Sequence, residues 1–307
     1  MELDARFAGT PLKEYRTTVT WRDTMNFAAA LGDRNAYYFD DERDGGIVAP
    51  PMFAVALTWP VCERLWDYIE AEHFPVDLLA TQVHYTEHLQ FHRSLIPGDR
   101  PAIRGKIAAI LPHRAGTHVI LRFDAYDDGE RPLFTEHIGA LLRGVRCMNG
   151  PRGQEALPPL PSLPDDNPRP LWETILPIDP LQPFIYDGCS RIFFPIHTSK
   201  QFARQVGLPG IILQGTATLA YAAREIINRE AGGDPRRLKS ISCRFTGMVL
   251  PGTAINVAAS GGAVAHDCGN VFFVVRNSDG KQAISDGTAS ITTTGRENPA
   301  VHSRPIT

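Results

Sequence analysis

The sequence predicts an α+β fold built from two copies of one unit, in which a long helix is followed by an antiparallel meander of strands. Two observations predict this fold. The same order of turn, helix and strand signals occurs in each half of the chain. A segment rich in proline and charge separates the halves near the middle of the chain. A repeated order of this kind indicates duplication of one ancestral unit.

The first half contains one long apolar segment, residues 52–70, which predicts a central helix. A shorter helix over residues 25–31 is expected to end at Gly32, where a left-handed conformation is favoured. Four stretches with strand-like composition follow the long helix, and turn-forming clusters separate them. These stretches cover residues 79–91, 102–111, 117–126 and 133–145. The first half is therefore expected to be a helix followed by a meander.

The middle of the chain, from residue 149 to about 180, is rich in proline, glycine and charge. Such a segment does not hold a regular strand ladder and behaves as an extended connector. The expected organisation is an N-terminal repeat over residues 1–148, a linker over 149–180 and a C-terminal repeat over 181–307.

The second half repeats the signals of the first. Residues 210–213 occupy the place of residues 46–49, and each set precedes a predicted long helix, the second from Thr216 to about Glu230. Phe245 precedes a Pro-Gly pair by six residues, as Phe91 does in the first half. Three further strand-like stretches, 254–259, 269–276 and 283–292, complete a second meander. A single meander would leave an open edge strand, so the two copies are expected to pair edge to edge.

Composition limits the classes of function. The chain has 307 residues, 43% hydrophobic and 21% charged residues, and a net charge of -3. This balance predicts a globular protein and gives no reason to expect nucleic acid or a membrane as a partner. The N-terminus lacks the apolar core of a secretory signal, so a cytoplasmic location is expected. The five cysteines form no C-x-x-C pair, so neither a disulfide framework nor a metal or other cofactor is expected.

One stretch, residues 184–219, carries the candidate chemistry. It is expected to be a polar loop that contains His197 and leads through a glycine-proline turn into a helix with small first residues, among them Gly215. The first N–H groups of a helix have no intrahelical partner and stabilise an oxyanion or a polarised carbonyl. An acid/base histidine and an electrophilic helix start could therefore act on one substrate. The alternative is that His197 is an ordinary surface or core histidine.

These residues resemble the MaoC-like acyl dehydratases, which include the R-specific enoyl-CoA hydratases, in the double-hotdog form with two fused copies. The resemblance runs from about Glu14 to Thr294. It implies a long helix held in each curved antiparallel sheet, and an acyl-CoA or acyl-carrier thioester bound where the copies meet. It also implies pairing of two such chains into a homodimer. In that family an aspartate and a histidine of a Gly-Asp-x-Asn-Pro-Leu/Ile-His loop act as acid and base, and a helix-start glycine N–H receives the thioester oxygen.

Neither repeat carries the whole loop. The first repeat matches at Gly32, Asp33 and Asn35, but it has Tyr38 at the position of the histidine. At its helix start, Pro51 stands at the position of the glycine, and proline has no N–H group to offer.

The second repeat matches the other part of the motif. It has Pro195, Ile196 and His197, but Ile192 stands at the aspartate and Phe194 at the asparagine. Its helix-start glycine is Gly215, and Gln214 takes the place of the preceding histidine. The resemblance therefore implies that the second repeat holds the better site.

Three hypotheses follow for the missing acid/base partner. In the first, His197 acts with Asp187, Tyr186 or Ser190, and Ile192 forms part of an acyl pocket. In the second, Asp33 and Asn35 reach across from the first repeat. In the third, the chain binds acyl thioesters without converting them or supports a catalytic partner, and a thioesterase is the rival enzymatic function.

Overall fold

The computed structural model describes residues 1–159, 170–265 and 268–292 of the chain. The strands are β1 (Glu2–Asp4), β2 (Pro11–Arg16), β3 (Gln82–Phe91), β4 (Ala102–His113), β5 (Gly116–Tyr126), β6 (Pro132–Arg143), β7 (Arg146–Met148), β8 (Trp172–Pro177), β9 (Leu238–Phe245), β10 (Ala254–Ala265), β11 (Cys268–Arg276) and β12 (Gln282–Thr292). The α-helices are α1 (Trp21–Ala30), α2 (Ala36–Phe39), α3 (Phe53–Glu63), α4 (Leu65–Tyr68), α5 (Gln182–Ser190), α6 (Pro195–Thr198), α7 (Lys200–Gln205) and α8 (Gly215–Glu230). Short 3-10 helices cover Ala5–Phe7, Val76–Thr81, Gln154–Ala156 and Pro235–Arg237.

Ten strands of the described residues form one sheet in the order β2-β4-β5-β6-β3-β9-β12-β11-β10-β8. The order is symmetrical about the junction of β3 and β9, so each half of the chain contributes five strands in the same succession. The antiparallel pairing of β3 with β9 confirms the expected edge-to-edge contact between the two copies. Strands β1 and β7 form a separate parallel pair.

The register at the junction matches the internal repeat of the sequence. Glu87 lies opposite Cys243 on β9, and Leu89 lies opposite Ile241. Phe91 and Phe245 end the two junction strands, so counting back from each makes Ile241 the counterpart of Glu87. The same correspondence makes Leu89 the counterpart of Cys243. Exchanging the two repeats therefore converts the pair Glu87–Cys243 into the pair Ile241–Leu89.

The expected linker is shorter than residues 149–180. Its last described part forms β8, which pairs with β10 along the outer edge of the second half-sheet. In the symmetrical strand order, β8 occupies the position that β2 has in the first half. The second copy of the repeated unit therefore begins at β8. Its alternation of half-buried and exposed residues suits an edge strand, which needs no continuous apolar run.

The two central helices differ in length. Helix α8 has ten buried residues and contacts four strands of the second half-sheet. Helix α3 is shorter than the predicted 52–70 segment, because it ends at Glu63 and the chain turns at Arg64 before α4. Most core side chains form one continuous cluster that includes residues of both repeats. No helix among the described residues is long and apolar enough to cross a membrane.

Residues 184–198 are largely helical, which corrects the expectation of a polar loop. Pro183 stands in the first turn of α5, where its missing N–H group costs nothing. Arg191 ends α5 in a left-handed conformation with φ 59°. The chain then enters α6, which carries His197. The two helices and the turn between them hold His197 in position.

Candidate active site

His197 is held by the chain segment that leads into α8. Its Nδ1 atom lies 2.8 Å from the carbonyl oxygen of Ile212, and the N–H of Ile212 donates to the carbonyl of Ile196 at 3.3 Å. A carbonyl oxygen can only accept a hydrogen bond, so Nδ1 carries the hydrogen. In the neutral ring the lone pair is therefore on Nε2, which can accept a proton.

The surroundings of His197 keep its ring neutral. Burial lowers the pKa of His197, the hydrogen bond to Ile212 opposes this, and the proximity of His84 adds to the lowering, so that the pKa is about 4. The ring is thus uncharged at pH 7. A neutral imidazole with its hydrogen fixed on one nitrogen is ready to act as a general base.

Helix α8 begins with free N–H groups. Its first residue is Gly215, and the preceding Gln214 makes no side-chain hydrogen bond to the helix start. The N–H of Thr218 donates to the carbonyl of Gln214 at 3.1 Å, so the N–H groups of the three residues before it have no intrahelical acceptor. They lie at the positive end of the helix dipole, where an oxyanion is stabilised.

The last residue of β9 packs against this helix start. A Cβ atom on Gly215 would lie 3.1 Å from the ring of Phe245, so glycine permits this close approach. The Phe245 ring also packs against His84 on β3, with the ring centroids 4.5 Å apart. Phe245 therefore lies between His84 and Gly215, and His84 is close enough to His197 to lower its pKa.

The hydroxyl of Tyr186 faces the same helix start. Tyr186 is fully buried, and its ring packs edge-on against Phe27 with centroids 5.7 Å apart. Its hydroxyl lies beside that of Thr216, yet neither oxygen has a hydrogen-bond partner among the residues described. Burial raises the pKa of Tyr186. Two hydroxyl groups without partners next to free N–H groups form a polar region inside an apolar core.

Two buried carboxyl groups lie behind this region, and the sequence interpretation missed both. Glu87 on β3 and Glu136 on β6 are 1% and 0% exposed. Oε2 of Glu87 lies 3.1 Å from Nε2 of His84. Apart from this contact and the approach of the two carboxyl groups to each other, the oxygens of both side chains have no hydrogen-bond partner among the described residues. The signal in the sequence was a glutamate inside each of two otherwise strand-like stretches.

Asp33 and Asn35 lie at the other end of α8. Oδ1 of Asp33 accepts from the N–H of Asn35 at 3.1 Å, and Nδ2 of Asn35 donates to the carbonyl of Gly233 at 2.6 Å. Burial raises the pKa of Asp33, while the charge of Arg224 opposes this. At about 1.5 Å per residue, Arg224 is roughly 13 Å along α8 from Gly215. This placement favours separate roles for Asp33 and His197 over the hypothesis that Asp33 and Asn35 complement His197.

Two of the first-hypothesis partners of His197 lie on α5. Oδ1 of Asp187 is buried without a hydrogen-bond partner among the described residues, and desolvation raises the pKa of this carboxyl group. The hydroxyl of Ser190 donates to the carbonyl of Tyr186 one turn back, at 2.5 Å. Cooperation of Asp187 or Ser190 with His197 stays a prediction.

The remaining predicted substrate-binding residues are largely packed. Ile192 is buried, and its N–H donates to Ser190 at 3.2 Å. Phe194 packs edge-on against Phe202 of α7. Gln214 is buried, and its Nε2 donates to the carbonyl of Pro183 at 2.9 Å, which ties α5 to the start of α8. Gln214 therefore positions the helix, and its direct contact with a substrate remains a prediction.

Two cavities of the described residues lie outside this cluster. The larger, about 400 Å³, is on the outer face of the first half-sheet beside His92, Arg122 and His137. The smaller, about 10 Å³, lies between Asp33 and Arg224. Neither of these two cavities is lined by His197 or Gly215.

Comparison with known proteins shows which families the two halves of the chain match. Residues 167–279 match the family described as MaoC like domain, and residues 6–130 match the FAS1-like, dehydratase domain region. The chain carries a MaoC-like domain in its second half and a FAS1-like dehydratase region in its first half. The two matches divide the chain into its two repeats, and the double-hotdog form inferred from the motifs is confirmed. The match of the second repeat includes His197 and Gly215.

Individual relatives agree with this family. The chain is 29% identical over 264 residues to "3-hydroxyacyl-thioester dehydratase Y" of Mycobacterium tuberculosis, covering 83% of this chain and 87% of that protein. It is 42% identical over 89 residues to the fatty acid synthase subunit beta of Aspergillus oryzae, which covers 28% of this chain but 4% of that protein. The chain thus spans only a small part of such synthase subunits. The MaoC-like dehydratase from Phytophthora capsici has the same fold, with a TM-score of 0.79 at 21% identity over 94% of this chain and 98% of that one.

Proposed function

We propose that the C-terminal repeat adds water to a 2-enoyl thioester and, in reverse, removes water from a 3-hydroxyacyl thioester. The observation that carries this proposal is the hydrogen bond from Nδ1 of His197 to the carbonyl of Ile212. It fixes Nε2 as the basic atom and holds the ring on the segment that enters α8. The substrate is an acyl-CoA or acyl-carrier thioester.

Hydration proceeds in balanced steps. Nε2 of His197 takes a proton from water as the water oxygen bonds to C3 of the enoyl group. The electron pair of the C2–C3 double bond moves towards the thioester oxygen and forms an enolate. The N–H groups of Gly215 and Thr216 stabilise the negative oxygen. Protonation of C2 completes the addition, and the proton on His197 returns to the acid that supplied it.

Three features support this assignment over simple binding. The pKa of His197, about 4, keeps the ring neutral at pH 7, as a base requires. The start of α8 has no side-chain cap, so its N–H groups are available to a ligand. The relative of similar length bears the name of a dehydratase that acts on 3-hydroxyacyl thioesters. The substitution of Ile192 for the aspartate of the family motif leaves the second acid/base group to another part of the chain.

The test uses the purified chain with crotonyl-CoA, following the enoyl absorbance and the release of free thiol in separate samples. We expect loss of the enoyl absorbance without thiol release. Thiol release would indicate a thioesterase, and no change with measurable binding would indicate a thioester-binding protein. Either of these two results across short, medium and branched enoyl-CoA substrates contradicts the proposed hydration.

A further inference from the structure

The C-terminal repeat lacks the carboxylate that its own loop would carry. Position 192, where the family motif has the aspartate, is a buried isoleucine. Addition of water needs a second group that gives a proton to C2 of the enolate. Because β3 of the first repeat pairs with β9 beside the start of α8, that group can come from the other copy.

Glu87 is a carboxyl group that the junction connects with this chemistry. It contacts His84 at 3.1 Å, and the His84 ring packs on Phe245, which in turn covers Gly215. Glu87 also lies close enough to the buried hydroxyl of Tyr186 to raise its pKa. A series of direct contacts therefore connects Glu87 with the helix start, and through His84 with His197.

The fold itself does not require a carboxyl group at this place. In the second repeat, Ile241 is the counterpart of Glu87, and Leu238 is the counterpart of His84, and both are buried. An apolar pair thus fills the equivalent site in the same sheet. Burying an acid without a full set of partners is costly, and of the two equivalent junction positions only that on β3 carries one.

We propose that Glu87, held by His84, is the second acid/base residue of the C-terminal site and replaces the missing loop carboxylate across the junction of the repeats. This inference rests on the proposed hydration. The protonated carboxyl of Glu87 gives its proton to C2 of the enolate, and a C–H bond forms as the O–H bond breaks. The proton that His197 took from water then passes through water or His84 to the Glu87 carboxylate. Both groups return to their starting states, and one water has been added.

The environment of Glu87 keeps its carboxyl group protonated. Burial raises the pKa of Glu87 to about 8, while its contact with Glu136 opposes the rise. Burial and the charge of Glu87 raise the pKa of Glu136 well above its usual range. The other groups that face the carboxyl are His84 on its own strand, Cys243 on β9, Cys62 on α3 and Tyr186 on α5. None of these carries a charge at pH 7, because burial lowers the pKa of His84 to about 4 and raises those of the other three.

The test compares Glu87→Gln and His84→Gln with the wild-type chain on an enoyl-CoA that the wild type hydrates. We expect Glu87→Gln to lower kcat by about 10²-fold with little change in KM, the size typical of losing one acid/base group. His88→Gln is the matched control for His84→Gln, since the two histidines are four residues apart on β3. His88 instead packs against His137, with ring centroids 5.9 Å apart. His88→Gln should keep wild-type kcat.

A wild-type pH profile gives a readout that does not depend on any variant folding. The acid form of Glu87 is needed, so kcat should fall as the pH rises through about 8. A profile that stays flat to pH 9.5, or full activity in Glu87→Gln, would overturn this inference. If the wild type hydrates no enoyl-CoA at all, the proposed function itself fails. If His197→Ala is inactive while Glu87→Gln is fully active, the role of Glu87 alone is wrong.

Thermal unfolding separates a catalytic loss from a folding defect. A carboxyl group whose pKa is higher in the folded than in the unfolded state stabilises the folded state at low pH. This stabilisation is lost as the pH rises from the unfolded pKa to the folded pKa. The wild-type Tm should therefore fall between pH 6.5 and 8, a window above the titration of the buried histidines. In Glu87→Gln this fall should be smaller, and the variant should be at least as stable as the wild type at pH 8. Low activity together with a Tm reduced at every pH would instead indicate a structural role for Glu87.

Discussion

Replacing His197 with alanine is expected to lower kcat for crotonyl-CoA hydration by up to about 10⁴-fold, because the substitution removes the base that activates water. The hydrogen bond to Ile212 already fixes the proton on Nδ1, so no reorganisation of the ring precedes proton transfer. The wild-type rate should stay constant as the pH falls from 7 to 5, since burial lowers the pKa of His197 to about 4. It should fall only near that value, where the ring becomes charged. The enoyl absorbance measures both effects.

Two controls test whether the loss is specific to the C-terminal repeat. Tyr38 occupies the position of the histidine in the first repeat, and Asp33 matches the aspartate of the family loop there. Tyr38→Phe and Asp33→Asn should both keep wild-type kcat, because their side chains lie at the far end of α8 and beside the smaller cavity. An active His197→Ala, or a large loss in Asp33→Asn, would contradict the assignment of the site.

Replacing Gly215 with proline is expected to lower kcat by about 10²–10³-fold, the usual loss on removing one oxyanion-binding N–H group. The helix should survive, because proline is well tolerated at the first position of a helix. The preceding Gln214 has φ -58° and ψ 136°, which is the extended conformation that a residue before proline prefers. The first repeat shows the same substitution in nature, since Pro51 stands at the corresponding position.

Gly215→Ala is the matched control for this variant. It keeps the N–H group but places a Cβ atom 3.1 Å from the same Phe245 ring, so it reproduces the crowding. The loss in Gly215→Pro beyond the loss in Gly215→Ala measures the contribution of the N–H group. Circular dichroism and Tm check that α8 remains folded. Equal losses in the two variants would show that crowding, and not the N–H group, matters at this position.

The repeated architecture could be predicted because its signals are local. Gly32 has the left-handed φ of 60° that its place after α1 predicts, and the turn over residues 277–280 joins β11 to β12 as expected. Strand β8 was missed because prolines and charged residues surround it, and an edge strand needs few apolar residues. Helix α5 was not predicted, because the polar residues of this segment suggested a loop and the proline of its first turn was not interpreted as a helix start. Tertiary packing of α1 against α5 supplies the missing stabilisation.

The site could be predicted only in part, for physical reasons. His197 and Gly215 lie close in sequence, so a motif finds both. Asp33 also fits the motif, but the fold of the first repeat places it beside Arg224. Glu87 comes from a distant strand, and a register irregularity between His84 and Thr86 changes which side chains face inward. Alternation along the sequence therefore does not predict that His84 and Glu87 lie on the same side of the sheet.

The most direct measurement of the central claim is the carbonyl stretching frequency of crotonyl-CoA labelled with ¹³C at C1, recorded by difference infrared spectroscopy on binding to His197→Ala. If the thioester oxygen lies at the start of α8, its bond is polarised and the band shifts to lower frequency than in water. The shift should decrease in the His197→Ala, Gly215→Pro double variant. A bound substrate whose band stays at the solution frequency in both variants would contradict the placement of the thioester at this helix start.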